Sequence, residues 1–243
     1  MHRLASRIIT RVRPTARRSY TSLHHRAMPT PDDVIRSRIA ERDRVLLFIC
    51  DMQEKFAKAI TGFDQVVHAQ TVLIQGLHAM NDLNDLNDNE LHQIYLTEQV
   101  PEKLGRTVEP LKDALNDFYK EGYQYNEKTR FSMIDEEFWK VFPDANKRVA
   151  VVTGIEAHVC VLQTVLDLLQ SGCRVHVCVD AVSSIRPEDR AVALRRMESA
   201  GAYLATTESI LFEMLGDADA EPFRAVSAAV RAKRPDTPAL PSI

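Results

Sequence analysis

No two of the four cysteines stand at Cys-x-x-Cys spacing, and no apolar run approaches the ~20 residues that a membrane-spanning helix needs. The second absence argues against a helical membrane anchor. As to the first, Cys50, Cys173 and Cys178 lie in or beside apolar segments, which reads as reduced, buried thiols and not a disulfide framework. No Gly-x-Gly-x-x-Gly follows the first apolar segment; Asp-Met-Gln-Glu-Lys-Phe stands there instead, so no phosphate-bearing cofactor is expected. Lysine and acidic residues are missing from the first 28 positions, which carry seven arginines. Residues 29–243 then hold 24 of the 31 basic groups and all 34 acids, a net −10. An acidic body repels a phosphate backbone and argues against a nucleic-acid partner.

What is present suffices for one core. Of 243 residues, 45% are hydrophobic and 27% charged, which fits a single globular domain over residues 41–233. Before it, Arg3, Arg7 and Arg11 share one helical face, with Leu4, Ile8 and Val12 to one side. An arginine-rich, serine-containing, acid-free amphipathic segment over residues 1–28 matches a mitochondrial presequence, which predicts a matrix location after its removal. A nucleic-acid-binding arm or a disordered tail are the competing readings. Met28 offers a second start, for a shorter cytosolic form.

From residue 43 onward, strand and helix signals alternate, the rhythm of an α/β, doubly wound, Rossmann-like fold. Strands are predicted over 44–50, 92–97, 123–127, 149–154, 173–180 and 202–206. Helices are predicted over 63–83, 108–119, 135–142, 187–200, 208–215 and 221–232, with one more opening beside Cys160. Residues 81–90 form a polar Asn/Asp-rich insertion that lacks the glycine and glutamate spacing of an EF-hand. The proline-bearing tail 234–243 reads as irregular.

The stretch Val149-Ala-Val-Val-Thr-Gly-Ile-Glu-Ala-His-Val-Cys160 carries the chemistry. It reads as a buried strand, a glycine turn and a helix whose first turn bears a cysteine. Unpaired N–H groups and the dipole at a helix start favour a thiolate. The plain alternative is a small apolar residue packing that helix start. Asp51 ends the first apolar strand, where open α/β sheets bind ligands. Lys128 precedes a short polar-aromatic loop. An aspartate, a lysine and a helix-capping cysteine make a coherent set: the carboxylate takes the thiol proton, the ammonium favours both anions, and the thiolate attacks a carbonyl. His158 is a rival base, but two residues from Cys160 in one turn it is poorly placed to aim at the thiol. Gln53, Phe56, Glu98 and Phe131 are candidate substrate contacts, although helix packing explains Phe56 equally well; Gln99 ends the second strand beside Glu98.

These segments resemble the isochorismatase-like cysteine hydrolases. The likeness rests on Cys50-Asp-Met-Gln-Glu-Lys-Phe56, Leu96-Thr-Glu-Gln99, Lys128-Thr-Arg-Phe-Ser-Met133 and Gly154-Ile-Glu-Ala-His-Val-Cys160, in that order, over roughly residues 44–215. The resemblance implies a six-stranded parallel sheet with helices on both faces. It implies Asp51 as base, Lys128 as its electrostatic partner and Cys160 as nucleophile. It further implies a cis peptide at Ile155–Glu156 and an oxyanion hole from the backbone N–H groups of Glu156 and Cys160. A homo-oligomer is also expected. Metal-dependent nicotinamidase relatives carry an aspartate and histidines after the second strand, whereas residues 96–105 here hold no histidine; no metal is expected and nicotinamide is disfavoured. The expectation is hydrolysis of a small carbonyl compound, an amide above all. The alternative is a non-catalytic mitochondrial scaffold on the same fold, connected to RNA processing.

Overall fold

The computed structural model describes residues 30–40, 43–82, 91–119, 123–236 and 240. The presequence-like arm, most of the polar insertion and part of the irregular tail lie outside them.

A short helix α1 (Pro31–Ser37) precedes β1 (Val45–Cys50), and the chain then alternates. The long helix α2 (Phe63–Asn81) leads to β2 (Gln93–Gln99). After it come α3 (Pro101–Leu104), α4 (Glu109–Phe118), β3 (Tyr123–Lys128) and α5 (Glu136–Val141). The strand β4 (Val149–Gly154) runs into a π turn over Ala157–Val161 and then α6 (Leu162–Gln170). The chain closes with β5 (Arg174–Val182), α7 (Pro187–Ala200), β6 (Tyr203–Ala205), α8 (Thr207–Leu215) and α9 (Phe223–Val230).

All six strands are parallel, in the order β3-β2-β1-β4-β5-β6. The direction of winding reverses between β1 and β4, so their carboxyl ends flank the crevice where such sheets bind ligands. Both strands are buried along their whole length, which is why each reads as an unbroken apolar run. Alternate side chains serve opposite cores. Leu47 and Ile49 pack with α2, α4, α8 and α9, while Leu46, Phe48 and Cys50 pack with α5, α6 and α7.

Two boundaries differ from expectation in ways that shape the site. β2 continues to Gln99 because Glu98 and Gln99 pair with Glu127 and Lys128 of β3. Cys160 lies in a π turn ahead of the α-helix, where the Val161 N–H reaches back to the Glu156 carbonyl at 3.2 Å. The helix α3 was not expected; Pro101 at its first position fits a helix start.

Candidate active site

Asp51 is the first residue past β1, and its N–H still reaches the Thr97 carbonyl of β2 at 3.1 Å. There the backbone takes φ +54°, a left-handed conformation uncommon outside glycine. The residue is 1% exposed, and both carboxylate oxygens are engaged. The Thr97 hydroxyl donates to Oδ1 at 2.8 Å, and the Lys128 ammonium donates to Oδ2 at 2.7 Å.

Lys128 ends β3 and is 5% exposed. Its Nζ also reaches Gln99 Oε1 at 2.8 Å and the carbonyls of Phe131 and Arg130 at 2.9 and 3.2 Å. Burial alone disfavours the ammonium, but Cys50, Asp51 and Cys160 outweigh it and hold its pKa above the usual lysine value. The lysine therefore remains a fixed positive charge at neutral pH.

Cys160 arrives from the neighbouring strand end. Gly154 closes β4 with φ +115°, and a Cβ there would lie 2.3 Å from the Cys50 carbonyl oxygen, so no other residue permits so close an approach. The Ile155–Glu156 peptide is cis. The thiol of Cys160, 7% exposed, a carboxylate oxygen of Asp51 and the Cys50 thiol all lie within 4.8 Å of one another. Thr164, one turn on, donates its hydroxyl to the Cys160 carbonyl at 2.8 Å and accepts the Met133 N–H at 3.0 Å. That one hydroxyl fastens the loop after β3 to the cysteine turn.

The predicted peripheral residues separate. Gln53 is fully buried and spends its amide on backbone: Nε2 donates to the carbonyls of Gly105 and Gln99, and Oε1 accepts the Gln99 N–H. It holds the end of β2 in place. Phe56 packs against the core on the α2 and α4 side, away from the cluster that contains Cys160. Glu98 is buried and accepts from Thr107, Arg106 and Tyr125. Burial pushes its carboxyl up, but these donors overcome it and hold the pKa below the ordinary value. Phe131, 51% exposed, presents its ring at the surface while its carbonyl holds Lys128.

Glu156 accepts the Ile185 N–H at 2.9 Å, and His158 Nδ1 lies 3.1 Å from the Ser184 hydroxyl. Both side chains thus fasten the loop after β5, a structural role for His158.

Sequence reading did not single out Cys50, Thr97 or Thr164 for the site. For Thr97 the available signal was a polar residue directly after the apolar Ile94-Tyr-Leu96 stretch of β2. The pairing of Cys50 with Thr97 that brings it to Asp51 needs the sheet register. As for a cation, Cys50, Asp51 and Cys160 have the spacing of a donor set. The chemistry fits poorly: a metal would compete with the Lys128 ammonium for Asp51. Burial, the Cys160 contact and the Asp51 charge also keep Cys50 protonated, its pKa well above the usual thiol value.

The family profile for the Isochorismatase domain matches residues 45–209. Isochorismatase family protein 1B of Dictyostelium discoideum is 39% identical over 199 residues, covering 81% of this chain and 91% of that protein. Isochorismatase domain-containing protein 2 of Homo sapiens is 36% identical over 192 residues, covering 79% and 85%. Among solved structures, one described as the MAR1 ribonuclease from Caenorhabditis elegans superposes with a TM-score of 0.72 at 36% identity, covering 85% of this chain and 98% of that one.

Proposed function

This chain belongs to the isochorismatase family, and on that premise we propose that it is a metal-independent cysteine hydrolase of a small carbonyl compound, above all an amide, working through Cys160, Asp51 and Lys128. One observation carries the reading: a buried carboxylate has an ammonium 2.7 Å away and the Cys160 thiol within 4.8 Å. Asp51 takes the Cys160 proton while Lys128 offsets the negative charge of the site. The thiolate adds to the carbonyl carbon, and the oxyanion is received by the N–H groups of Glu156 and Cys160. One such donor typically contributes ~3–4 kcal/mol, so the turn matters as much as the thiol. Collapse breaks the C–N bond, the amine leaves with the proton held by Asp51, and a thioester remains. Asp51 then takes a proton from water, which hydrolyses the thioester and frees Cys160. Burial of Asp51 and Lys128 supports a small substrate.

Ammonia release across a panel of small primary amides tests this. Activity in the wild type, and its loss in Asp51→Asn, Lys128→Ala and Cys160→Ala with the fold kept, is the expected result. A fully active Cys160→Ala enzyme sinks the mechanism.

A second reading takes its motive from the nematode protein described as a ribonuclease. The −10 charge of residues 29–243 and the closed site oppose it. RNA affinity that falls with salt, together with cleavage that Cys160→Ala abolishes, would support it instead. The proposal includes import into the mitochondrial matrix directed by residues 1–28, with a cytosolic form from Met28, and homo-oligomeric assembly. Fluorescent fusions with and without the arm, and light scattering, test these points.

A further inference from the structure

Cys50 is a second thiol that hydrolysis leaves unused. It closes β1 fully buried, and its sulfur lies within 4.8 Å of both the Cys160 sulfur and an Asp51 carboxylate oxygen. Gly154 makes this possible. It pairs with Cys50 across β1 and β4, and a Cβ in its place would sit 2.7 Å from the Cys50 Cβ. The two other cysteines are elsewhere: Cys173 precedes β5, and Cys178 belongs to the core on the opposite side of the sheet.

The two thiols are unequal. Cys160 keeps some exposure, whereas Cys50 has none and is held as a thiol by burial, its contact with Cys160 and the charge of Asp51. A small oxidant therefore meets Cys160 first. We infer that Cys50 is the resolving thiol for an oxidised Cys160, so that hydrogen peroxide closes the site reversibly into a Cys50–Cys160 disulfide. This rests on the nucleophilic character assigned to Cys160 above, but not on its substrate.

The chemistry balances. The Cys160 thiolate attacks one peroxide oxygen and the O–O bond breaks; the departing hydroxide takes the thiol proton and leaves as water, giving a sulfenic acid. The Cys50 sulfur then attacks the Cys160 sulfur. The S–S bond forms, the S–O bond breaks, and the Cys50 proton leaves with the hydroxide as a second water, with Asp51 placed to relay it. Two thiols are oxidised and one peroxide is reduced. The sulfurs must close from within 4.8 Å to about 2 Å. The product holds no free nucleophile, and it spares Cys160 the irreversible steps to sulfinic and sulfonic acid.

The test treats the reduced full-length protein with hydrogen peroxide, then maps its peptides by mass spectrometry without reductant. In the wild type the Cys50–Cys160 cross-linked peptide dominates. Alkylation of Cys160 falls by about tenfold or more, because a disulfide sulfur is no nucleophile, and dithiothreitol restores it. In Cys50→Ser, Cys160 instead proceeds to sulfinic acid that dithiothreitol does not reverse. Cys50→Ala gives the same result without a hydroxyl in the core, and circular dichroism before treatment shows that each variant is folded. Cys173→Ser and Cys178→Ser leave the cross-link intact. Sulfinic acid at Cys160 in the folded wild type with no link to Cys50, or links formed equally with Cys173 or Cys178, overturns the inference. The readout needs no turnover: should the hydrolase reading fail, the reduced protein releases no ammonia while the cross-link still forms.

Discussion

Lys128 Nζ and Asp51 Oδ2 stand 2.7 Å apart although 77 residues separate them in the chain, and both side chains are closed off from solvent. Such a pair adds little net stability, because desolvating two charges consumes most of what their attraction returns. β1 and β3 deliver the two ends from opposite sides of β2, and Thr97 and Gln99 on β2 each hold one member.

Removing one partner strands a buried charge. Lys128→Met is expected to destabilise the fold by about 3–5 kcal/mol in urea denaturation. Adding Asp51→Asn removes the stranded charge and recovers most of that loss, while hydrolysis remains absent. Stability and activity thus separate in one double-mutant cycle.

The cysteine turn depends on a missing side chain. Gly154→Ala places a Cβ against the Cys50 backbone at φ +115° and is expected to cost about 4 kcal/mol or more, seen as low soluble yield and an early thermal transition. Gly201→Ala has a similar φ of +114° but meets nothing within 4 Å, so it carries the backbone strain alone, about 1–2 kcal/mol. The difference between the two melts isolates the steric contact.

Two buried histidines make the fold acid-sensitive. Burial, assisted by Arg148 at one and Arg174 at the other, lowers His92 and His176 from 6.5 to about 4. His92 Nδ1 accepts the Val45 N–H at 3.2 Å, which requires that nitrogen unprotonated. Between pH 6.5 and about 4 the unfolded chain binds protons that the folded chain refuses, so stability is full above 6.5 and falls as the pH drops through that window. The loss is on the order of 3 kcal/mol per histidine. His176→Phe, which removes a ring nitrogen without a partner among the described residues, should flatten the slope of unfolding free energy against pH.

Thr164 is expected to position Cys160 without touching substrate. Thr164→Val strands the Met133 N–H, at about 1–3 kcal/mol of stability. By loosening the cysteine turn it should lower kcat about ten- to hundredfold with little change in KM. A raised KM with kcat unchanged would assign it to binding instead.

Much of the architecture is legible in the chain. β1 and β4 announce themselves as unbroken apolar runs, and α7 spans Pro187–Ala200, its start marked by the proline and the acids of its first turn. Asp51, Lys128 and Cys160 each stand at or just beyond the end of a strand, where chemistry collects in such sheets. Pairing across strands is less legible. Glu98 and Gln99 both end β2, yet alternation sends them to opposite faces, Gln99 to Lys128 and Glu98 to Arg106 and Thr107. Cys50 read as one more core residue because its neighbour Cys160 is 110 positions away in sequence and reaches it through a π turn that no local pattern marks.

The central claim is a covalent one, so the most direct measurement is to trap the intermediate. Wild type and Cys160→Ala are each mixed with a small amide that releases ammonia, quenched in acid within the first turnovers, and mapped by mass spectrometry. The account predicts an acyl group on the wild-type Cys160 peptide and neither adduct nor ammonia in Cys160→Ala. Ammonia released by Cys160→Ala at the wild-type rate, with no adduct on the wild-type peptide, would contradict it.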